Sequence, residues 1–165
     1  MVKTLLDMSE LQTIGRDETI AVDALVDEVM VDLEPLAQEK EIKLIGNCKD
    51  TTMVGSDILI YRMVYNLVEN AIKYNHFGGQ VTITAYRNGK NICLSVEDTG
   101  SGIPAELKER IFEPFFRVDK SRSRQLGGVG LGLALVREIV RVHDGRITVQ
   151  SSPSGGTIFE VVFTQ

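Results

Sequence analysis

"SVEDTGSGIPA" (Ser95–Ala105) decides between two folds. Its second half fits G-x-G-x-x-A after a strand and before a helix, the pattern that cradles a dinucleotide. That reading needs a parallel strand soon after the helix. The downstream segment "EPFFRVDKSRSRQLGG" (Glu113–Gly128) has no strand pattern, so the dinucleotide fold is set aside. The first half says more. Ile92, Leu94 and Val96 share one face of a strand, and period two puts Asp98 on that face too. A carboxylate facing a core is costly unless it is hydrogen-bonded. Asp98 lies too far before Pro104 to cap a helix that starts there. It either opens a turn or is a buried acceptor for a ligand donor, such as the exocyclic amine of a purine. Gly100 and Gly102 would let the backbone come close to such a ligand.

The elements around this stretch predict an α+β fold. "QVTITAYRN" (Gln80–Asn88) and "KNICLSVED" (Lys90–Asp98) alternate and flank a turn at Asn88–Gly89, which reads as a hairpin. "RITVQSS" (Arg146–Ser152) and "GTIFEVVFT" (Gly156–Thr164) form a second hairpin. "IKLIGN" (Ile42–Asn47) and, more weakly, "TTMVG" (Thr51–Gly55) are short strands. A helix opens near Asp23. Leu25, Val26, Val29, Met30, Leu33 and Leu36 are its apolar face, and Pro35 is expected to kink it. A second helix runs from an N-cap at Ser56. "PAELKERIF" (Pro104–Phe112) reads as a short helix, and "GLGLALVREIVRVHDG" (Gly130–Gly145) as the last, closed by Gly145. "VKTLLDMSELQTI" (Val2–Ile14) is a short amphipathic helix with nothing obvious of its own to pack on. The expected architecture is a two-layer α/β sandwich: a mixed, mostly antiparallel sheet with helices on one face.

Composition narrows the function. The 165 residues carry 23 acidic and 18 basic side chains, a net charge of -5, which argues against nucleic acid as a partner. Cys48 and Cys93 are too few for a disulfide framework and read as reduced thiols. No apolar run reaches the length that spans a bilayer.

The helix from Ser56 carries a polar stripe. Ile60, Val64, Leu67, Val68, Ala71 and Ile72 share one side, while Arg62, Asn66, Glu69, Asn70 and Lys73 cluster opposite. A solvated face is the plain reading. Asparagine is a poor helix former, so two of them one turn apart suggest a task. An amide oxygen can hold Mg²⁺, and a lysine near it can meet phosphate. The stretch from Glu113 to Gly130 is polar and rich in glycine; from Arg117 onward it sets Arg117, Lys120, Arg122 and Arg124 against one acid, Asp119. Set before a helix start, "GGVGLG" (Gly127–Gly132) can form an anion site. It lacks the G-K-[ST] of a Walker A loop, and it suits a lid.

Together "NLVENAIKY" (Asn66–Tyr74), "DTGSGI" (Asp98–Ile103), "FEPFFR" (Phe112–Arg117), "GGVGLGL" (Gly127–Leu133) and "GGT" (Gly155–Thr157) occur in order. The series resembles the N, G1, F and G2 boxes and the terminal Gly-Thr segment of sensor histidine kinase ATP-binding domains. These belong to the superfamily of gyrase, Hsp90 and MutL, with the Bergerat ATP-binding fold. The resemblance covers roughly residues 20–165. It implies ATP and Mg²⁺ as ligands. It implies that Asn70 ligates the metal, Asn66 lies beside the phosphates, Lys73 contacts phosphate and Tyr74 packs near adenine. It implies that Asp98 accepts from the adenine amine, with Gly100, Gly102 and Ile103 shaping the pocket and Thr157 near the base. Arg117, Lys120, Gly128, Gly130, Leu131 and Gly132 would form the lid and the phosphate-facing helix start.

Residues 1–17 resemble the tail of a dimerising helical hairpin and its linker, with residues 18–165 as the catalytic domain. The acceptor box, a histidine followed by an acid, is missing. His76 lies in a turn. His143 lies at the last helix's C-terminal end, where a cation would complement the dipole. The chain therefore reads as a catalytic-domain piece of a longer kinase. It is expected to be monomeric by itself and to phosphorylate a histidine on the hairpin domain of a homodimeric, membrane-anchored parent, with this domain in the cytoplasm. A response regulator is the partner expected downstream. The alternatives are a nucleotide-driven binding switch and a serine-directed kinase of the anti-sigma type. Water-activating relatives carry an acid where Asn66 stands, so transfer to another nucleophile is favoured over hydrolysis.

Overall fold

The computed structural model describes residues 11–114, 116 and 132–165. Its main sheet has five strands: β2 (Lys43–Cys48), β4 (Gln80–Asn88), β5 (Asn91–Asp98), β6 (Arg146–Ser151) and β7 (Thr157–Thr164). Their order is β2-β4-β5-β7-β6. Only the β2–β4 pair is parallel, so the sheet is mixed and mostly antiparallel. Three helices pack on it: α1 (Val22–Glu39), α2 (Asp57–Lys73) and α3 (Gly132–Val142). The expected α+β sandwich is the observed one.

Alternation explains which face of the sheet is covered. Val81, Ile83 and Ala85 on β4, Leu94 and Val96 on β5, and Phe159 and Val161 on β7 are buried. They line up in rows across the register, Ile83–Val96–Phe159 and Ala85–Leu94–Val161. The next row pairs Val81 with Asp98, which takes a core position at the strand's end. The helices meet these rows with Met63, Val64, Leu67, Val68, Ala71 and Ile72 of α2 and Val136, Ile139 and Val140 of α3.

Several local expectations give way. A small second sheet pairs β1 (Glu18–Ala21) with β3 (Thr52–Gly55), and β1 had no signal in its own four residues. As expected, α1 runs as one helix through Pro35, which lies on its exposed side, to Glu39. Pro104–Phe112 is not one helix. It folds as two single turns, Ala105–Leu107 and Arg110–Phe112, the second burying Ile111 and Phe112. Nucleating a helix is costly, and a segment this short gains more from placing two side chains in the core. The β4–β5 turn falls one residue later than expected, at Gly89–Lys90, with positive φ only at Gly89.

α3 does not end on a left-handed glycine. Asp144 takes that conformation (φ 57°), and the Gly145 N–H returns to the Val140 carbonyl at 2.9 Å. Glycine is required at 145 for space: a Cβ there would stand 2.7 Å from the Phe163 ring. The segment 1–10 lies outside the described residues. Just after it, Leu11 is buried at 1 % exposure in the main core, beside α3.

Candidate functional site

α2 starts as its sequence says. Ser56 is fully buried, and its hydroxyl accepts the Leu59 N–H at 3.4 Å. The stripe of Arg62, Asn66, Glu69, Asn70 and Lys73 is half-exposed along one side. Lys73 pairs with Glu69 at 3.6 Å, one turn back. Such a partly exposed pair is worth about 0–1 kcal/mol, so it does not commit the ammonium. Gly132 opens α3 beside this stripe, with its Cβ position 3.7 Å from Asn66 Oδ1. The start of one helix and the middle of another thus border the same space.

At the far end of α2 sits Asp98, 7 % exposed. Its Oδ1 accepts the Gly100 N–H at 2.9 Å and the Thr157 N–H at 3.2 Å. Burial pushes the carboxyl above its usual range, and the two backbone N–H bonds oppose that shift. Both donors go to Oδ1, which leaves Oδ2 without a protein donor among the described residues. Gly102 has a positive φ of 77°, and a Cβ there would stand 2.7 Å from the Gly155 carbonyl oxygen, so both shape and conformation demand glycine. A Cβ on Gly100 would stand 2.6 Å from the Tyr74 carbonyl oxygen, which places the end of α2 against this turn. Ile103 is half-buried against the core, and Thr157 is buried.

The structure thus brings Asp98, Gly100, Gly102, Tyr74 and Thr157 together at one end, and Asn66 and Gly132 at the other. Asn70 and Lys73 lie on α2 between them. Arg117, Lys120, Gly128, Gly130 and Leu131 lie outside the described residues, as does most of the expected lid. At the near end of that segment, Phe112 packs edge-on to Phe159, with ring centroids 6.2 Å apart. Arg110 lies over the Phe116 ring at 4.6 Å.

Sequence reasoning missed two residues here. A Cβ on Gly156 would overlap the Asp98 carbonyl oxygen and stand 2.8 Å from Oδ1. Only glycine lets β7 approach closely enough for Thr157 to donate to Asp98. The paired glycines of "GGT" were the available signal. Asn75 was missed outright: it is 1 % exposed and bridges three partners at the end of α2.

His143 is not the helix-end cation expected from sequence. Its Nδ1 donates to the Ile139 carbonyl at 2.8 Å, and its Nε2 accepts the Ser56 N–H at 3.0 Å. Burial lowers its pKa, with Arg16 adding to the effect. The neutral ring therefore joins the end of α3 to the start of α2, and both nitrogens are occupied. His76 is exposed, with Nδ1 3.3 Å from the Phe77 carbonyl.

A metal at Asn70 would suit the donor set. Among the described residues no group of three or more His, Cys, Asp or Glu could hold an ion. The α2 stripe offers amide oxygens instead. That fits a hard cation that brings phosphate oxygens and water as its other ligands, as Mg²⁺ does. No described helix is long and apolar enough to cross a membrane.

A family model described as histidine kinase-, DNA gyrase B-, and HSP90-like ATPase matches residues 55–165. The sensor-like histidine kinase SenX3 of Mycobacterium tuberculosis is 40% identical over 163 residues, covering 96% of this chain and 40% of SenX3. The chain therefore spans about two fifths of that relative's length. Among solved structures, the catalytic domain of histidine kinase ThkA matches with a TM-score of 0.81 at 28% identity, over 91% of this chain and 96% of that one. ThkA in complex with response regulator protein TrrA matches at 0.76 and 27%, over 90% and 41%. Full-length ShkA in complex with AMPPNP matches at 0.84 and 26%, over 98% and 34%. The family match takes in Asn66, Asn70, Asp98 and Thr157 alike, and the chain belongs to the histidine kinase-, DNA gyrase B- and HSP90-like ATPases.

Proposed function

We propose that this chain is the ATP-binding catalytic unit of a two-component sensor histidine kinase, and that it delivers the γ-phosphoryl group to a histidine outside these residues. The observation that carries the reading is Asp98: a buried carboxylate, held by two backbone N–H groups on one oxygen, with the other left to accept. The exocyclic amine of adenine is the donor that suits it. Gly100, Gly102, Ile103, Tyr74 and Thr157 border the base. Asn70 is the metal ligand, and Asn66, Lys73 and the start of α3 at Gly132 face the phosphates. A helix N-terminus favours the anion through its dipole. Mg²⁺, when bound, would neutralise charge on the transferring phosphoryl group. The sequence alone supports Arg117, Lys120, Gly128, Gly130 and Leu131 as the cover over the triphosphate.

Neither described histidine serves as the acceptor. His143 has both nitrogens bonded, and His76 lies beyond the end of α2 with no acid among the described residues bonded to its ring. We assign residues 1–17 to the end of the dimerising hairpin and its linker, which would carry the acceptor further upstream. A response regulator, a homodimeric parent and a membrane anchor belong to the same reading. The test is incubation of this chain with labelled ATP and a separate hairpin domain bearing the acceptor histidine. The expected result is an acid-labile, base-stable label on the hairpin and none on the chain. Self-labelling at His76 or His143 would overturn the assignment.

A further inference from the structure

We propose that Asn75 is a positioning residue that sets base selectivity, acting on Asp98 through Thr99; this rests on the assignment of ATP to the Asp98 site. Asn75 comes just after the end of α2 and is 1 % exposed. Its Nδ2 donates to the Gln80 carbonyl at 3.0 Å, at the first residue of β4. Its Oδ1 accepts the His76 N–H at 2.9 Å and the Thr99 hydroxyl at 3.2 Å. The same hydroxyl accepts the Gln80 N–H at 3.0 Å. One amide thus closes a ring that joins the end of α2, the start of β4 and the turn after β5.

The ring is built with no room to spare. A Cβ on Gly79 would overlap Asn75 Oδ1 and stand 2.7 Å from the Thr99 hydroxyl oxygen. The main chain is held as well: the Lys40 ammonium donates to the carbonyls of Ile72, Lys73 and Asn75 at 3.2, 2.9 and 2.7 Å. Thr99 stands between Asp98 and Gly100, whose N–H clamps Asp98 Oδ1. Fixing Thr99 therefore fixes the direction of the remaining carboxylate oxygen. Asn66 and Asn70 lie upstream on α2, outside this ring.

Adenine presents a donor where guanine presents a carbonyl oxygen. A carboxylate held at a fixed angle discriminates between them, because the wrong partner leaves its lone pairs unmatched. The unaltered chain should prefer ATP to GTP. Asn75→Ala should lower the ratio of ATP to GTP affinity about tenfold, the scale of one lost buried hydrogen bond. The Mg²⁺ dependence of binding should stay unchanged. Thr99→Val should reproduce that loss, Thr99→Ser should retain the ratio, and the double variant N75A/T99V should lose no more than either alone. Calorimetric titration with each nucleotide reads all of these. Equal loss of both affinities, or an unchanged ratio, would overturn the proposal. If Asn75→Ala does not fold, the Thr99→Val and Thr99→Ser pair decides it. Failure of the unaltered chain to bind ATP would remove the nucleotide reading itself, a failure visible before any variant is made.

Discussion

The two ends of the candidate site along α2 are made differently. At the Asp98 end, polar side chains are buried in a fixed frame of hydrogen bonds: Asp98, Asn75 and Thr157 are 7 %, 1 % and 4 % exposed, and Asp98 Oδ1 and the Asn75 amide are held. Glycines at 79, 100, 102 and 156 permit backbone approaches that a side chain would block. Toward the Asn66 end, the side chains are half-exposed, and among the described residues the Glu69–Lys73 pair is weak. The Asp98 end, proposed to take the base, is thus prearranged, and its affinity would come from geometry already in place. The Asn66 end, proposed to face the phosphates, presents side chains whose bonds a ligand would complete. Damage that forces the backbone apart at the first end should therefore cost fold and affinity together, and damage at the second should cost affinity alone.

The largest effect should come from Gly156→Ala. A methyl overlapping the Asp98 carbonyl forces β7 away, and overpacking of this kind costs about 1–3 kcal/mol or more. ATP binding should fall below detection by calorimetry, and the urea midpoint should drop. Normal affinity would show that the approach of β7 to β5 is incidental. Asp98→Asn comes next. The amide oxygen can keep both N–H bonds, while the other position becomes a donor. Loss of a charged hydrogen bond is worth about 1.5–3 kcal/mol, so ATP affinity should fall about 10–150-fold with little change in stability. Equal affinity would remove the adenine assignment.

Asn70→Ala tests the other end. It should remove the enhancement of ATP binding by Mg²⁺ and leave metal-free binding and folding nearly intact. If titrations with and without the metal shift together, Asn70 is only packing. The smallest effect belongs to His143, remote from both ends. Its folded pKa lies below the unfolded value of about 6.5. Its contribution is therefore complete above that value and is lost as pH falls through the lower folded one, because protonation at Nε2 opposes the Ser56 N–H. His143→Gln should flatten this part of the stability profile in denaturant titrations between about pH 7.5 and 5. An unchanged profile would mean the ring titrates without strain.

The same contrast governs what could be read from the sequence. Elements fixed by local periodicity were legible: both hairpins, the α2 stripe and the inward turn of Asp98. Features made by distant chain meeting chain were not. β1 exists because β3 pairs with it. Gly145 is glycine because Phe163 stands over it, and Asp144 takes the left-handed position instead. Asn75 looks like an ordinary helix-ending asparagine until Gln80 and Thr99 close around it. His143 looks like a surface cation because nothing near it in sequence announces Ser56.

Leu11 gives the chain a boundary of another kind. It precedes every strand of the sheets, yet it lies in the central core beside α3, whose first residue borders Asn66. The unit that melts cooperatively therefore begins before β1. A chain shortened to start at residue 18 would lose a buried leucine, a change that costs roughly 2–5 kcal/mol when truncated to alanine. Leu11 thus ties the residues before β1 to the helix whose first residue borders Asn66.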